Sequence, residues 1–354
     1  VQSAAAMGLF RRAAGGLALS VVLHRGVLAA IISLVVVIGM APASRAAQVV
    51  DGWVLLPQMP AEVAAGEAFI RPSRGQAMVL DRAVMGRLLA QAPMEDTPAA
   101  ANPVVVIIPT PDGRPARFAA VESPVMEPAL AAAFPQIRSY WARGIDDPHA
   151  VARFDLSPLG FRAQVITPED GWSGGTYYID PYTRGDDLFA MSYYRRDLGN
   201  FRPRFNCMTQ GADGIAKPAD RERGAVNRSG ATRRTFRLAV ICTGEYGAFF
   251  GSAANALASI NTATNRVTGI YELDFTVRLT LVANNNLIVY TNAATDPFTN
   301  LGDTNLTFTQ GTNAINAAIG SANYDVGHIF DRGGGGVAVL GSVCSVNKAR
   351  GYSS

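Results

Sequence analysis

Tyr324-Asp-Val-Gly-His-Ile-Phe330, the glycine run Gly333–Gly336 and Val337-Ala-Val-Leu-Gly-Ser-Val-Cys344 together decide the fold of the second half of this chain. Two short apolar runs separated by glycines predict two strands joined by a tight connection. Their context comes from the residues before them. Thr235-Phe-Arg-Leu-Ala-Val-Ile-Cys-Thr243 predicts a buried strand, and Gly247–Tyr271 predicts a helix with Phe250, Ala254, Leu257, Ile260 and Val267 on its apolar side. Leu273–Ala283 alternates like a strand, Asn284-Asn-Asn286 reads as a turn, Leu287–Thr291 as another strand, and Gln310–Gly320 as a second helix. Strand, helix, strand, strand, helix, strand, strand predicts an α/β arrangement that still lacks an element.

The first half reads differently. Gln76–Gln91 predicts a helix, with Met78, Leu80, Val84, Leu88 and Leu89 near helical spacing and Pro93 beyond its end. Val104–Ile108 and Ala116–Glu122 flank the turn Pro111-Asp-Gly-Arg-Pro115 and predict a hairpin. Ala150–Leu156, Gly160–Ile166 and Gly175–Asp180 continue as alternating strands about a dozen residues apart, so a mostly antiparallel domain is expected. The composition turns polar and glycine-containing at 206–234, which reads as a linker.

The 354 residues, 49% hydrophobic and 17% charged, suffice for two globular domains and exclude a wholly disordered chain. The net charge of +3 has a local source: Arg221, Arg223, Arg228, Arg233 and Arg234 stand in one segment with a single carboxylate, Glu222. Such a cluster is no groove-reading surface, so nucleic acid is not an expected partner. Arg11, Arg12, His24 and Arg25 precede the uncharged run Gly26–Met40, and small residues follow to Ala47. This layout predicts a signal peptide over 1–47 and export to the extracellular side. The run is shorter than the ~20 residues of a spanning helix, so no permanent membrane anchor is expected. The cysteines are Cys207, Cys242 and Cys344, an odd count that leaves at least one without a partner among these residues.

In order, Thr235–Tyr246, Asn265–Glu272, Val282–Asn292, Ile319–Phe330 and Lys348–Gly351 resemble the reprolysin-like metzincin proteases. Val121-Glu-Ser-Pro-Val-Met-Glu-Pro128 and Gly144-Ile-Asp-Asp-Pro148 resemble the pro-regions of that family. The resemblance implies an α+β, mixed chain: a β-rich pro-domain over 48–205, an activation segment over 206–234 carrying Arg221, Arg223, Arg228, Arg233 and Arg234, and the N-terminal part of a metzincin-like α/β catalytic domain over 235–354. It also implies zinc and a polypeptide substrate for the full-length parent. There, a helix with His-Glu-x-x-His would follow, placing two imidazoles one turn apart and a glutamate beside the metal-bound water. No such string occurs in this sequence, whose histidines are His24, His149 and His328. The chain as it stands is therefore expected to bind no zinc and to be inactive, with catalytic residues expected beyond Ser354.

By the same resemblance, Gly336, Val337, Ala338, Val339, Leu340 and Gly341 form the edge strand that pairs with substrate. From the residues alone, they equally suit an ordinary edge strand. Cys207 is a possible latency thiol, since thiolate is a strong zinc ligand. A disulfide to Cys242, or a buried thiol, is the alternative. The alternative function is a non-catalytic secreted pseudoprotease or binding module.

Overall fold

The computed structural model describes residues 49–50, 52–168, 174–198, 232–333 and 335–354. The expected signal peptide, Cys207, Arg221, Arg223 and Arg228 lie outside the described residues. Val49–Ser354 is one compact unit built around two sheets.

The first sheet comprises β1 (Val49–Val50), β2 (Trp53–Leu56), β3 (Gln76–Leu80), β4 (Val104–Ile107), β5 (Arg117–Glu122), β6 (Arg138–Gly144), β7 (Val151–Ser157), β8 (Gly160–Ile166), β9 (Tyr177–Pro181) and β10 (Phe189–Tyr194). Its order is β1-β2-β3-β10-β9-β8-β7-β6-β5-β4, and every neighbouring pair is antiparallel. Two short helices, α1 (Ala61–Ala64) and α2 (Arg82–Leu89), lie near its start, and α3 (Pro128–Ala133) follows β5.

On β7, Ala152 and Phe154 face a core with Tyr140, Phe161 and Tyr177, while Arg153 and Asp155 occupy the other face. The sheet curls over this core far enough for Trp53 Nε1 on β2 to donate to Ile107 O on β4, at 3.0 Å. Met85 and Leu89 of α2 close it.

One predicted helix divides here. Gln76–Leu80 is a strand held between β2 and β10, and the helix begins only at Arg82, where the Asp81 side chain accepts from Val84 N at 3.0 Å. The apolar spacing around Met78 and Leu80 suits either period, and pairing on both edges settles it.

The second sheet comprises β11 (Arg234–Cys242), β12 (Val277–Leu281), β13 (Val326–Phe330), β14 (Gly336–Ala338) and β15 (Gly351–Ser353). Its order is β12-β11-β13-β15-β14, parallel except for the last pair. Helices α4 (Gly244–Phe250), α5 (Ala253–Phe275) and α6 (Thr304–Ala318) complete this half.

Four expectations change in this half. The single helix over Gly247–Tyr271 is two, because Gly251 closes α4 at φ +79°, a conformation that favours glycine. The strand predicted from Leu273 starts at Val277: residues to Phe275 are the last turn of α5, and Thr276 caps it in the left-handed region. Leu287–Thr291 is no strand. Asn285–Ile288 forms a short 3-10 turn instead, and the Asn285 amide takes over the missing pairing, accepting from Val240 N at 2.7 Å and donating to Val240 O at 3.0 Å. Helix α6 starts earlier than Gln310, where Asp303 accepts from Leu306 N at 3.1 Å.

Helix α5 lies between the two sheets. Leu257 and Ile260 pack against Leu238, Val240 and Leu281 of the second sheet, while its opposite side meets β6, β7 and β8 of the first. Val267, expected on its apolar side, is 38% exposed.

Candidate functional site

Strand β13 carries the chain to the turn that generates the edge of the second sheet. Gly327 lies where a Cβ would come within 2.6 Å of Ala349 Cβ, so the segment before β15 packs directly on the strand. Lys348 crosses Tyr324, its ammonium 4.2 Å from the ring centroid and 2.8 Å from Tyr324 O.

At the end of β13, Asp331 is buried and gathers three donors. Thr243 Oγ1 donates to Oδ1 at 2.9 Å, Tyr352 O–H to Oδ2 at 2.6 Å, and Gly333 N to Oδ2 at 3.0 Å. The last is a side-chain turn of the kind aspartate forms with the residue two ahead. One carboxylate thereby ties the ends of β11, β13 and β15 to the start of the glycine run. Burial, followed by the bond to Asp331, pushes the Tyr352 hydroxyl up to about 12, so it remains a donor at neutral pH.

Gly335 has φ +122°, which a side chain rarely tolerates, and lets the chain reverse into β14. Gly336, Val337 and Ala338 pair antiparallel with Ser353, Tyr352 and Gly351, and Val339 N continues the ladder to Arg350 O at 3.0 Å. Leu340 and Gly341 leave the strand in a turn, Gly341 at φ +66°. β14 terminates the sheet, with β15 as its only strand neighbour among the described residues. Asp331, Thr243 and Tyr352 carry no motif of their own. The legible signal is an aspartate placed between a strand and a glycine run.

His328 lies on β13 with Nε2 2.9 Å from Ser353 Oγ and its ring edge-on to Phe330. Burial pushes its pKa down to about 4, so the ring is neutral at pH 7. Cys242 ends β11 as a buried free thiol 3.5 Å from Tyr290 O, and burial pushes it up to about 12. Cys344 is free and exposed, at φ +58°. The Cys242 thiol, raised so far, is a poor nucleophile at neutral pH. Among the described residues, no group of three or more His, Cys, Asp or Glu side chains is close enough together to hold a metal ion.

Of the arginine cluster, Arg234 opens β11, its N–H donating to Thr276 O at 3.0 Å. Arg233 pairs with Glu95 at 3.1 Å and also with Asp96, both on the loop before β4. Among the described residues, no helix is long and apolar enough to cross a membrane.

Residues 232–354 match the family model described as Metallo-peptidase family M12B Reprolysin-like. A search among curated proteins found no match to the chain.

Proposed function

From the match of residues 232–354 to the reprolysin-like M12B metallopeptidase model, we propose that the chain is the precursor form of an exported zinc metalloendopeptidase. The ten-stranded half acts as its pro-region, and β14 is the strand along which an extended substrate lies. One observation carries this reading. β14 is a short antiparallel strand at the end of an otherwise parallel sheet, with β15 on one side and no strand on the other among the described residues. Backbone groups on that free side can hydrogen-bond to an extended peptide, as in strand addition.

Zinc in such an enzyme polarises the scissile carbonyl and activates a water. The described residues do not fit it: His328 is engaged with Ser353, Cys242 is buried beside Tyr290, and no third ligand joins either. No catalytic step is therefore assigned to these residues.

Residues 206–234 act as the activation segment, with Arg221, Arg223 and Arg228 as its cutting positions. Arg233 and Arg234 are engaged by Glu95, Asp96 and Thr276, which favours a cut before them. Cys207 is proposed as the thiol that would hold the metal latent.

Two experiments test the reading. Sequencing past codon 354 should reveal His-Glu-x-x-His within roughly 15 to 30 codons. Its absence would sink the protease assignment and leave a binding module. Calorimetric titration of this chain with zinc should show no tight stoichiometric binding.

A further inference from the structure

The two halves meet across a surface that is polar, buried and reciprocally paired. Glu95 of the first half accepts two bonds from Arg278 of the second, at 2.9 and 3.0 Å. Arg278 Nε reaches Glu272 at 2.5 Å, and Glu272 in turn pairs with Arg153, which is 1% exposed on β7. Burial alone would push the Glu95 carboxyl up. The bonds from Arg278 and Ser123, with the charges of Arg278 and Arg153, outweigh it and hold the group near 2.

Further along α5, Thr262 donates to Asp155 at 2.8 Å, Asn265 to Phe154 O at 2.9 Å, and Arg266 to Asp180 at 2.8 Å. Ser139 and Asn261 bond each other. Gly269 supplies the close approach, since a Cβ there would sit 2.8 Å from Arg153 Cγ.

A second kind of contact adjoins this one. Leu281 N donates to Val125 O, and Glu127 N to Leu281 O, both at 2.8 Å. The first half thereby adds a single parallel bridge, Met126 beside Leu281, to the β12 edge, opposite in sheet order to β14. Met126, Leu130 and Ile137 enter the apolar cluster of Leu238, Leu257 and Leu281. The combination is a buried apolar anchor beside a polar field bridged by hydrogen bonds and ion pairs from one half to the other, the anatomy of an interface between separate partners.

We propose that residues 49–198 form a non-covalent partner for the α5–β12 surface, one that stays bound after the intervening chain is cut. The chain's own curled sheet fits this surface because Glu95, Arg153 and Asp180 each meet a charged counterpart on the other half, in Arg278, Glu272 and Arg266. Association needs neither the linker nor any metal, so the inference stands apart from the peptidase reading.

The test places a recognition sequence for a site-specific endoprotease between residues 206 and 220 of the full chain. The folded protein is cut and passed over a sizing column at physiological and at high salt. Both fragments should elute together at the uncut volume. Separation at physiological salt would overturn the proposal.

Met126→Asp puts an unpaired charge into the apolar anchor and should weaken association of the cut protein at least ~100-fold. Before cutting, the tether should keep the elution volume and circular dichroism of the parent. If that variant does not fold uncut, Glu272→Gln is read in its place, with an expected weakening of ~10-fold. Cut variants that hold together as tightly as the parent would show that the assigned surface is not the one that binds.

Discussion

Asp331 shows how much one buried carboxylate can organise. Removing it leaves the Thr243 and Tyr352 hydroxyls without their acceptor and frees the start of the glycine run. Each buried polar group left unsatisfied costs about 1–3 kcal/mol, so Asp331→Ala should lower stability by about 2–4 kcal/mol. Asp331→Asn, which keeps an acceptor, should lose less. Urea denaturation at an unchanged m-value reads the difference. His328 makes a second prediction at this scale. Its folded pKa, near 4, lies below the ordinary 6.5, so folding favours the neutral ring. That contribution is fully present above pH 6.5 and is lost as pH falls through 6.5 toward 4. His328→Gln should remove this acid-side slope, measured as urea midpoints across that window. An unchanged slope would mean that the ring titrates normally.

At the scale of elements, two helical glycines should respond to alanine in opposite ways. Alanine in a helix interior is worth about 0.5–1 kcal/mol over glycine. Gly86 of α2 has nothing nearer to a new Cβ than Leu156 Cδ2 at 4.0 Å, so Gly86→Ala should stabilise by that amount. Gly247 of α4 would carry its Cβ 1.9 Å from Tyr290 O, a contact with backbone that cannot swing away. Gly247→Ala should therefore destabilise by about 1–3 kcal/mol despite its helix propensity. Thermal melts of the two variants beside the parent decide the matter, and equal shifts would refute the close approach. The same scale explains where element boundaries were legible. Val151–Ser157 and Gly160–Ile166 announced themselves by strict alternation, whereas Leu273–Phe275 alternates with the following strand yet belongs to α5. Short apolar runs satisfy both periods, and neighbours decide. The Asn285 side chain, standing in for a strand, could not be read from local pattern at all.

For the whole molecule, the decisive feature is the polar field between the sheets. Asp155 lies within it, buried, and burial pushes its carboxyl up to about 7 against the opposing effects of the Thr262 bond and the Arg162 and Arg266 charges. A raised folded pKa favours the protonated form. Its contribution to stability is therefore present below the ordinary 3.8 and is lost as pH rises through 7. Asp155→Asn keeps an acceptor for Thr262 and abolishes the titration. The variant should gain stability relative to the parent as pH rises from about 4 to about 7, the reverse of the His328 slope. Urea midpoints at both ends of that range test the sign, and a constant offset would place Asp155 outside the titrating field.

The sequence alone determined the mixed composition of the fold, the alternating strands of the first half, the likeness of residues 232–354 to the reprolysin-like family and the absence of His-Glu-x-x-His from these residues. Alternation states which side chains share a face, because successive Cβ atoms point to opposite sides of a strand. It does not state what covers that face. Arg153, Asp155, Arg162 and Gln164 would ordinarily read as a solvated surface, yet all are buried, most of them against α5. Only the tertiary structure decided this, because the partners of Arg153 and Asp155 lie more than a hundred residues away in Thr262, Asn265 and Glu272. The edge position of β14 was decided in the same way, by β15 inserting between it and β13.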